Sequence, residues 1–529
     1  MVGAMTVNVP CSSVRATRAV AATADQLATQ AAMSTFTVGG NAVDAALAAN
    51  AVLAVTAPHL CGMGGDLFAL VRTPDGEVVG LNSSGRAGSG ADPESLRAEH
   101  LTAIPLRHDV RIVTVPGCVD GWIALHGRFG GLDLATILAP AIRLAASGFP
   151  AGPLLVGAVS LLDDAGRDQL HELADQATSV GAPVRRPGVA LTLQGIVAGG
   201  REAFYGGAFG EGLLALGGGL FTADDLATVQ AEWSEPLTAS AFGVDLVTIR
   251  PNSQGYLMLG MARLAEAAGL PDDPDDPTWA HVLIEAATAA SHDRPELLHE
   301  GADGSALLAE LDGRVAMIDA AHASLRPTSA VAGDTTYLCT AEIDGMAVSL
   351  IQSNAAGFGA WIVEPTTGIN LHNRGVGFNL RAGHPAEYGP RRRPPHTLCP
   401  AIATRDGELA AVFGTMGGDA QPQILLQLAA RMFRHGARPA EAVSTGRWAL
   451  RGPSSGFDTW TSGVPPTVMV EGHAPTGWRT GLMERGHPVD VAPPFDSGFG
   501  HAHAIVQERP GLFSCAADPR TRVGSAAGI

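Results

Sequence analysis

The chain has 529 residues, of which 46% are hydrophobic and 16% charged, so it can bury a large core and is not an intrinsically disordered protein. Its 34 basic residues, all arginine, are outnumbered by 52 acidic residues. The resulting net charge of −18 disfavours binding to nucleic acid or to an anionic membrane surface. We expect a globular enzyme that acts on small molecules.

The first 30 residues lack the unbroken apolar stretch of a secretory signal, because Arg15 and Arg18 fall within that region. No window reaches the ~18 apolar residues that a membrane span requires. The six cysteines show no C-x-x-C spacing, which predicts neither a zinc site nor a dense disulfide scaffold. We therefore expect a cytoplasmic protein with free thiols.

Residues 12–56 predict two Ala-rich helices separated at Gly39-Gly40, the second capped by Asn41 with Asp44 in its first turn. Two β-like runs on either side of Asp75-Gly76 then predict a hairpin.

Helical sequence is expected from about residue 119 to residue 300, and the small, polar segment 320–334 is expected to be an exposed linker. A second hairpin is predicted around Asp344-Gly345. Further strands are expected in 361–371, in 401–413 and in the C-terminal HAHAIVQ. Strands and helices occur in blocks without internal repeats, which favours an α+β fold with antiparallel sheets covered by helices.

Two common catalytic signatures are missing from the sequence, which contains no H-E-x-x-H and no Walker motif. The glycine-rich run 61–65 separates a helix from a strand, which is the reverse of a dinucleotide fingerprint, and favours a tight turn or a pocket lining. His501 and His503 have H-x-H spacing, but their strand context favours packing over metal binding.

The junction Gly333-Asp334-Thr335-Thr336 offers a different chemistry. A Thr hydroxyl needs a base within hydrogen-bond reach, and a Thr that begins a new chain can use its own α-amine, whose pKa is ~7.7–8.0. A cleavable linker followed by a strand would suit such a nucleophile, although two threonines at a strand start are also a simple β-propensity signal.

The chain resembles the γ-glutamyltransferase family of N-terminal-nucleophile hydrolases over nearly its whole length. Ordered blocks carry the resemblance: 39–68, 115–122, 138–150, 333–350, 353–359, 367–373, 414–421, and GHAHAIV with AADPR near the end. The resemblance implies a four-layer αββα sandwich and a precursor that cleaves itself between Asp334 and Thr335. The products would be a large subunit, 1–334, and a small subunit, 335–529.

The resemblance also implies roles for individual residues. Thr335 would be the catalytic and autocleavage nucleophile, Ser353 would hydrogen-bond its amine, and Asn354 would contact the substrate. The backbone N–H groups of Gly417 and Gly418 would form the oxyanion hole. No cofactor and no metal are implied.

Three departures from the family pattern concern the substrate's amino-acid head group. The amide and carboxylate positions that grip an α-amino group fall on Arg374 and Gly377. The paired serines that hold an α-carboxylate align with His396 and Thr397. The position of the family arginine is Ser84, with Arg86 two residues further on.

A pocket that has lost a carboxylate and gained Arg374 predicts an acyl group with a carboxylate and without an amine, because guanidinium pairs with carboxylate by a bidentate fork. Oxamate-like and glutaryl-like amides fit this description, as in the amidohydrolase and acylase branch of the family. Two alternatives stay open, namely a γ-glutamyl transpeptidase or glutathione hydrolase, and an uncleaved, inactive homologue that acts as a binding module.

Overall fold

The computed structural model describes residues 11–326, 334–452 and 465–529. The α-helices of these ranges are α1 Gln26–Thr37, α2 Ala42–Thr56, α3 Pro93–Ala98, α4 Cys118–Phe129, α5 Leu134–Ser147, α6 Pro153–Ser160, α7 Asp164–Gln169, α8 His171–Ala174, α9 Pro187–Tyr205, α10 Ala208–Gly217, α11 Ala223–Ala227, α12 Gly255–Ala267, α13 Pro277–Ser291, α14 Arg294–Leu297, α15 Gly304–Asp312, α16 Gln421–Ala429, α17 Pro439–Ser444 and α18 Thr476–Glu484. None of them combines the length and the apolar character that crossing a membrane requires.

The strands of the described residues are β1 Val14–Ala16, β2 Ala19–Thr23, β3 Asp66–Arg72, β4 Val78–Ser83, β5 Phe149–Pro150, β6 Pro183–Val184, β7 Glu232–Ser234, β8 Leu237–Ala241, β9 Val244–Thr248, β10 Asp334–Glu342, β11 Ala347–Ala355, β12 Val363–Glu364, β13 Ile369–Asn370, β14 Ala401–Arg405, β15 Glu408–Thr415, β16 Trp448–Arg451, β17 Thr467–Glu471, β18 Val489–Ala492, β19 Ala502–Arg509, β20 Leu512–Ala517 and β21 Ser525–Gly528.

Two antiparallel seven-stranded sheets form the centre of the molecule. The first sheet has the order β1-β20-β19-β15-β14-β9-β8, and the second has the order β21-β2-β10-β11-β3-β4-β7. Their facing sides share one buried apolar core, to which the second sheet contributes Phe68 and Tyr337 and the first contributes Ile402 and Phe513. The sheets therefore pack face to face.

Helices cover the outer face of each sheet. Residues of α1, α2, α4, α5 and α9 share a core with the outward side of the second sheet, and residues of α12, α13 and α16 share one with the outward side of the first. The arrangement is the expected αββα sandwich.

The two predicted hairpins and one predicted helix cap are confirmed by the structure. The β3–β4 and β10–β11 pairs enclose Asp75-Gly76 and Asp344-Gly345. The Asn41 side chain accepts the N–H groups of Val43 and Asp44, and Asp44 completes a capping box. All six cysteines are free thiols, as expected.

Other expectations were wrong. Residues 14–16 and 19–23 form β1 and β2 rather than helix, because β2 is paired on both sides, with β10 and with β21, and sheet pairing outweighs the helix propensity of alanine. The range expected to be helical also contains β7, β8 and β9. Residues 320–326 form the expected loop, and 327–333 lie outside the described residues.

Candidate active site

Thr335 lies in β10, the strand between β2 and β11 in the second sheet. Its side chain is only 1% exposed, and its Oγ1 donates a hydrogen bond to Ser353 Oγ at 2.9 Å. Ser353 Oγ also accepts the N–H of Ala355 at 2.8 Å. The two predicted hydroxyl groups are therefore in direct contact and held by a central strand pair.

A β-bulge lies opposite Thr335. Asp334 pairs with Ala355 and Thr336 pairs with Gln352, so two residues of β11, Ser353 and Asn354, face Thr335 alone. Bulges occur beside active sites, where the extra residue re-aims a side chain. Here the irregularity brings Ser353 to the Thr335 hydroxyl.

The glycine-rich turn 61–65 packs directly against this bulge. A Cβ added at Gly65 would lie 2.3 Å from the carbonyl oxygen of Ser353, so only glycine permits the approach. Asn354 donates from Nδ2 to the carbonyl oxygen of Pro58 at 3.1 Å, and its buried Oδ1 has no hydrogen-bond partner among the described residues. Of the two structures expected for this run, the tight turn agrees with the structure.

Gly417 and Gly418 form a tight turn directly after β15, with φ values of 137° and 54°. The turn is fixed by Gln254, whose Nε2 donates to the carbonyl oxygen of Gly418 at 3.0 Å. Within the described residues, neither glycine N–H donates to a protein acceptor. Both donors are thus available for another partner.

The cavity that begins next to this turn has a volume of about 80 Å³. Arg374, Thr397, Asp419 and Arg294 supply charged and polar groups to its wall. Arg374 is 1% exposed and donates from Nη1 to Thr397 Oγ1 at 3.3 Å, while Arg294 Nη2 lies 3.3 Å from Asp419 Oδ1. Burial lowers the pKa of Arg374 to about 10, and the negative charges of Asp66 and Asp419 oppose this effect.

Behind Arg374 lies a fully buried carboxylate, Asp66, at the start of β3. Its Oδ1 accepts the N–H groups of Gly85 at 3.0 Å and Gly117 at 3.3 Å, and its Oδ2 lies 3.1 Å from His396 Nε2. Desolvation raises the pKa of Asp66, but the neighbouring histidines and Arg374 outweigh it and bring the pKa to about 2.

The two histidines beside Asp66 are neutral. Burial, followed by the charge of Arg374, lowers the pKa of His396 to about 3, and burial also lowers that of His372. His396 Nδ1 accepts a hydrogen bond from the N–H of Leu398 at 3.3 Å. Its Nε2 therefore carries the proton and donates a hydrogen bond to Asp66 Oδ2. The cluster joins β3 to the segment that precedes β14.

The structure brings most predicted site residues together in two groups. Thr335, Ser353 and Asn354 meet at the bulge, and Arg374, Thr397 and His396 meet around Asp66 and the cavity.

Arg86 lies outside these groups. Its Nη2 lies 2.6 Å from Glu232 Oε1, and Arg86 is not part of the cavity wall. His501 and His503, singled out for their spacing, contact Ser497 Oγ and the N–H of Asp518 respectively.

Asp66, Arg294 and Asp419 were missed by sequence reasoning. Asp66 and Asp419 each follow directly after a glycine pair in a block that carries the family resemblance, and this position was the available signal. Arg294 carries no such signal, because its partner Asp419 is distant in the sequence.

Comparison with known proteins agrees with this architecture. The family described as gamma-glutamyltranspeptidase matches residues 28–528. The oxamate amidohydrolase proenzyme of Klebsiella pneumoniae subsp. pneumoniae is 33% identical, with 98% of this chain and 99% of the relative covered. The glutathione hydrolase-like YwrD proenzyme of Bacillus subtilis is 34% identical over the same shares of the two chains.

A solved structure is similar throughout. The crystal structure of cephalosporin acylase from Bacillus halodurans superposes with a TM-score of 0.88 at 31% identity, covering 100% of this chain and 98% of that one. Two facing sheets covered by helices, together with this structural match, define the αββα fold of N-terminal-nucleophile hydrolases. The chain belongs to the gamma-glutamyltranspeptidase family and is an enzyme.

Proposed function

We propose that the chain is a self-processing amidohydrolase or acyltransferase with Thr335 as its nucleophile, which cleaves a small amide whose acyl group bears a carboxylate. Cleavage between Asp334 and Thr335 would give the fragments 1–334 and 335–529. The observation that carries the proposal is the buried contact of 2.9 Å between the hydroxyl groups of Thr335 and Ser353, opposite the bulge. The proenzyme names of two relatives support the processing step.

Both fragments would stay together after cleavage. β10 begins the second fragment and is hydrogen-bonded to β2 of the first and β11 of its own. The first sheet likewise contains β8 and β9 from one fragment beside β14 and β15 from the other. A cut after Asp334, the first residue of β10, therefore leaves the other strand pairs of both sheets in place.

The chemistry then follows from the new N-terminus. The α-amine of Thr335, with an ordinary pKa of ~7.7–8.0, accepts the hydroxyl proton as Oγ1 attacks the amide carbonyl carbon. The carbonyl oxygen becomes an oxyanion, which the N–H groups of Gly417 and Gly418 would stabilise. The amine leaves with the proton, an acyl ester on Thr335 remains, and water or a second amine releases the acyl group.

The substrate class rests on the charges of the cavity wall. Two guanidinium groups, Arg294 and Arg374, face one carboxylate, Asp419. A substrate carboxylate would add to the negative charges of Asp66 and Asp419 that already act on Arg374, and the planar Arg374 group suits it geometrically. A volume of about 80 Å³ favours a small acyl group, and the relative named an oxamate amidohydrolase supports the same class.

Glutathione hydrolysis is the second candidate, because another relative has the name glutathione hydrolase-like. That reaction requires a carboxylate for the α-ammonium group, and the family position for it is Gly377. A Cβ at Gly377 would lie 2.4 Å from the carbonyl oxygen of Pro395. The local backbone leaves no room for an acidic side chain there, which weighs against this candidate.

Processing is tested by mass spectrometry of the purified protein and of Thr335→Ala. We expect the wild type to split into two fragments and Thr335→Ala to remain one chain of 54.1 kDa. A wild type that is intact and turns over amides would overturn the proposal. An intact chain without turnover would instead indicate the inactive homologue.

Substrate class is tested by measuring kcat/KM for oxamate, a glutaryl amide and a γ-glutamyl amide, with the wild type and with Arg374→Met. Removing one partner of a buried ion pair costs about 3 kcal/mol or more, so kcat/KM for the preferred acidic amide should fall roughly 100-fold or more. Arg438→Met is the matched control, because Arg438 is exposed and forms a surface ion pair with Glu441. Strong γ-glutamyl turnover that survives Arg374→Met would refute the carboxylate pocket.

A further inference from the structure

A second cluster of chemically capable side chains lies away from the candidate active site, on the outer helices. His281 and Glu285 are one turn apart on α13, and His487 follows α18. One ligand atom from each residue lies within 4.8 Å of the other two, and all three side chains are buried.

The hydrogen bonds of His281 fix which nitrogen is available. Its Nε2 lies 2.7 Å from the carbonyl oxygen of Asp319, which can only accept, so Nε2 carries the proton. Its Nδ1 therefore presents a lone pair, towards His487 Nε2 at 2.8 Å. Metal-ligating histidines commonly donate their second ring N–H to a backbone carbonyl in this way.

Glu285 is a buried carboxylate with little compensation. Its two oxygens share a single backbone donor, the N–H of Ser324, at 3.2 and 3.3 Å. Burial raises the pKa of Glu285, and the hydrogen bonds of Ser324 and the more distant charge of Arg326 offset this only in part. The positive charge of Arg485 acts on the histidines from a greater distance, and its Nη2 is engaged by Thr278 Oγ1 at 2.7 Å. A buried carboxylate beside two neutral imidazoles is a favourable setting for a divalent cation.

We propose that His281 Nδ1, His487 Nε2 and the Glu285 carboxylate bind a divalent transition-metal ion, with zinc as the first choice. Two imidazoles and one carboxylate are a ligand set that zinc accepts at ~2.0–2.2 Å. A tetrahedral centre places two such nitrogens ~3.3 Å apart, so the rings need to separate by roughly half an ångström from their present contact. Binding replaces the proton on His487 Nε2 and releases it to solvent.

The site has a structural consequence that rests on the proposed function. Asp319 and Ser324, which orient two of the ligands, belong to the loop that leads towards the cleavage junction. His281 and Glu285 precede Thr335, and His487 follows it. In the processed enzyme the metal would link the two fragments.

The test uses the full-length protein, stripped with a chelator and titrated calorimetrically with Zn²⁺. We expect one ion per chain, with about one proton released, as shown by the dependence of the enthalpy on buffer. Affinity should fall at least 10-fold to 100-fold in His487→Gln and in Glu285→Gln. His292→Gln, which lies just beyond the same helix, is the matched control and should bind as the wild type does.

Cobalt provides a second readout, because Co²⁺ bound by two nitrogens and a carboxylate absorbs in the visible range. The same titration on Thr335→Ala separates this proposal from the processing proposal, since the site should fill in the uncleaved chain as well. The metal-site proposal would be overturned by the absence of one-to-one binding in the wild type. Binding that is unchanged in both Glu285→Gln and His487→Gln would also overturn it. Retained circular dichroism of the variants ensures that lost binding reflects lost ligands.

Discussion

The buried carboxylate of Asp66 provides the sharpest test of the charge cluster, through Asp66→Asn. The amide oxygen can still accept the N–H groups of Gly85 and Gly117. Its NH₂ group, however, would face the proton on His396 Nε2, and His396 cannot change tautomer without losing the N–H of Leu398. The substitution therefore removes a charge and places two donors against each other.

The magnitude follows from the pKa of Asp66, which falls from 3.8 to about 2 on folding. At about 1.4 kcal/mol for each tenfold change in proton affinity, this corresponds to roughly 2.4 kcal/mol of stability. Because the folded pKa is the lower one, the stabilisation is complete above about pH 4 and is lost as the pH falls to about 2. For 529 residues, an unfolding entropy of roughly 1.1 kcal/mol/K converts it into a Tm decrease of about 2 °C.

The assay is thermal unfolding between pH 2.5 and pH 7, in the Thr335→Ala background so that a single chain unfolds. Asp66→Asn should lower Tm at pH 6. The difference in Tm between this variant and the protein that retains Asp66 should narrow below pH 4, because the carboxylate then takes up its proton. Asp490→Asn, at an exposed position, controls for the substitution itself. Equal Tm values at pH 6, or a difference that does not vary with pH, would refute the role assigned to this cluster.

Two further predictions concern the bulge and the missing carboxylate. Ser353→Ala removes the partner of the Thr335 hydroxyl, so self-cleavage followed by gel electrophoresis should be roughly 10-fold to 100-fold slower; an unchanged rate would contradict the contact's role. Gly377→Asp should lower Tm and give no γ-glutamyl turnover, because its Cβ would lie 2.4 Å from the carbonyl oxygen of Pro395. A gain of that activity at unchanged Tm would show that the pocket tolerates the carboxylate.

Local signals in the sequence predicted those parts of the fold that depend on local chemistry. The turns at Asp75-Gly76 and Asp344-Gly345 and the cap at Asn41 follow from neighbouring residues, and all three were located correctly. The strand Ala19–Thr23 could not be found in this way, because its alanines favour helix and only pairing with β10 and β21 makes it a strand.

The candidate site likewise contains residues that the sequence could predict and residues that depend on long-range contacts. Thr335 and Ser353 were accessible through an ordered family pattern; the structure brings their hydroxyl groups into contact, while the predicted bond of Ser353 to the Thr335 amine stays a prediction. Asp66 and Asp419 could not be found in this way. A buried carboxylate is recognised by its partners, here His396 and Arg294, which are distant in the sequence. Single residues of this kind have no periodicity that a sequence pattern could reveal.

Charge, more than shape, separates the two candidate substrate classes. A γ-glutamyl head group would bring an ammonium ion into a wall that already holds two guanidinium groups, Arg294 and Arg374, beside one carboxylate, Asp419. Asp66 does not line that wall, and its oxygens are occupied by His396 and by two backbone N–H groups. An acyl carboxylate without an amine adds a negative charge to a wall that already holds two guanidinium groups, and it brings no ammonium ion.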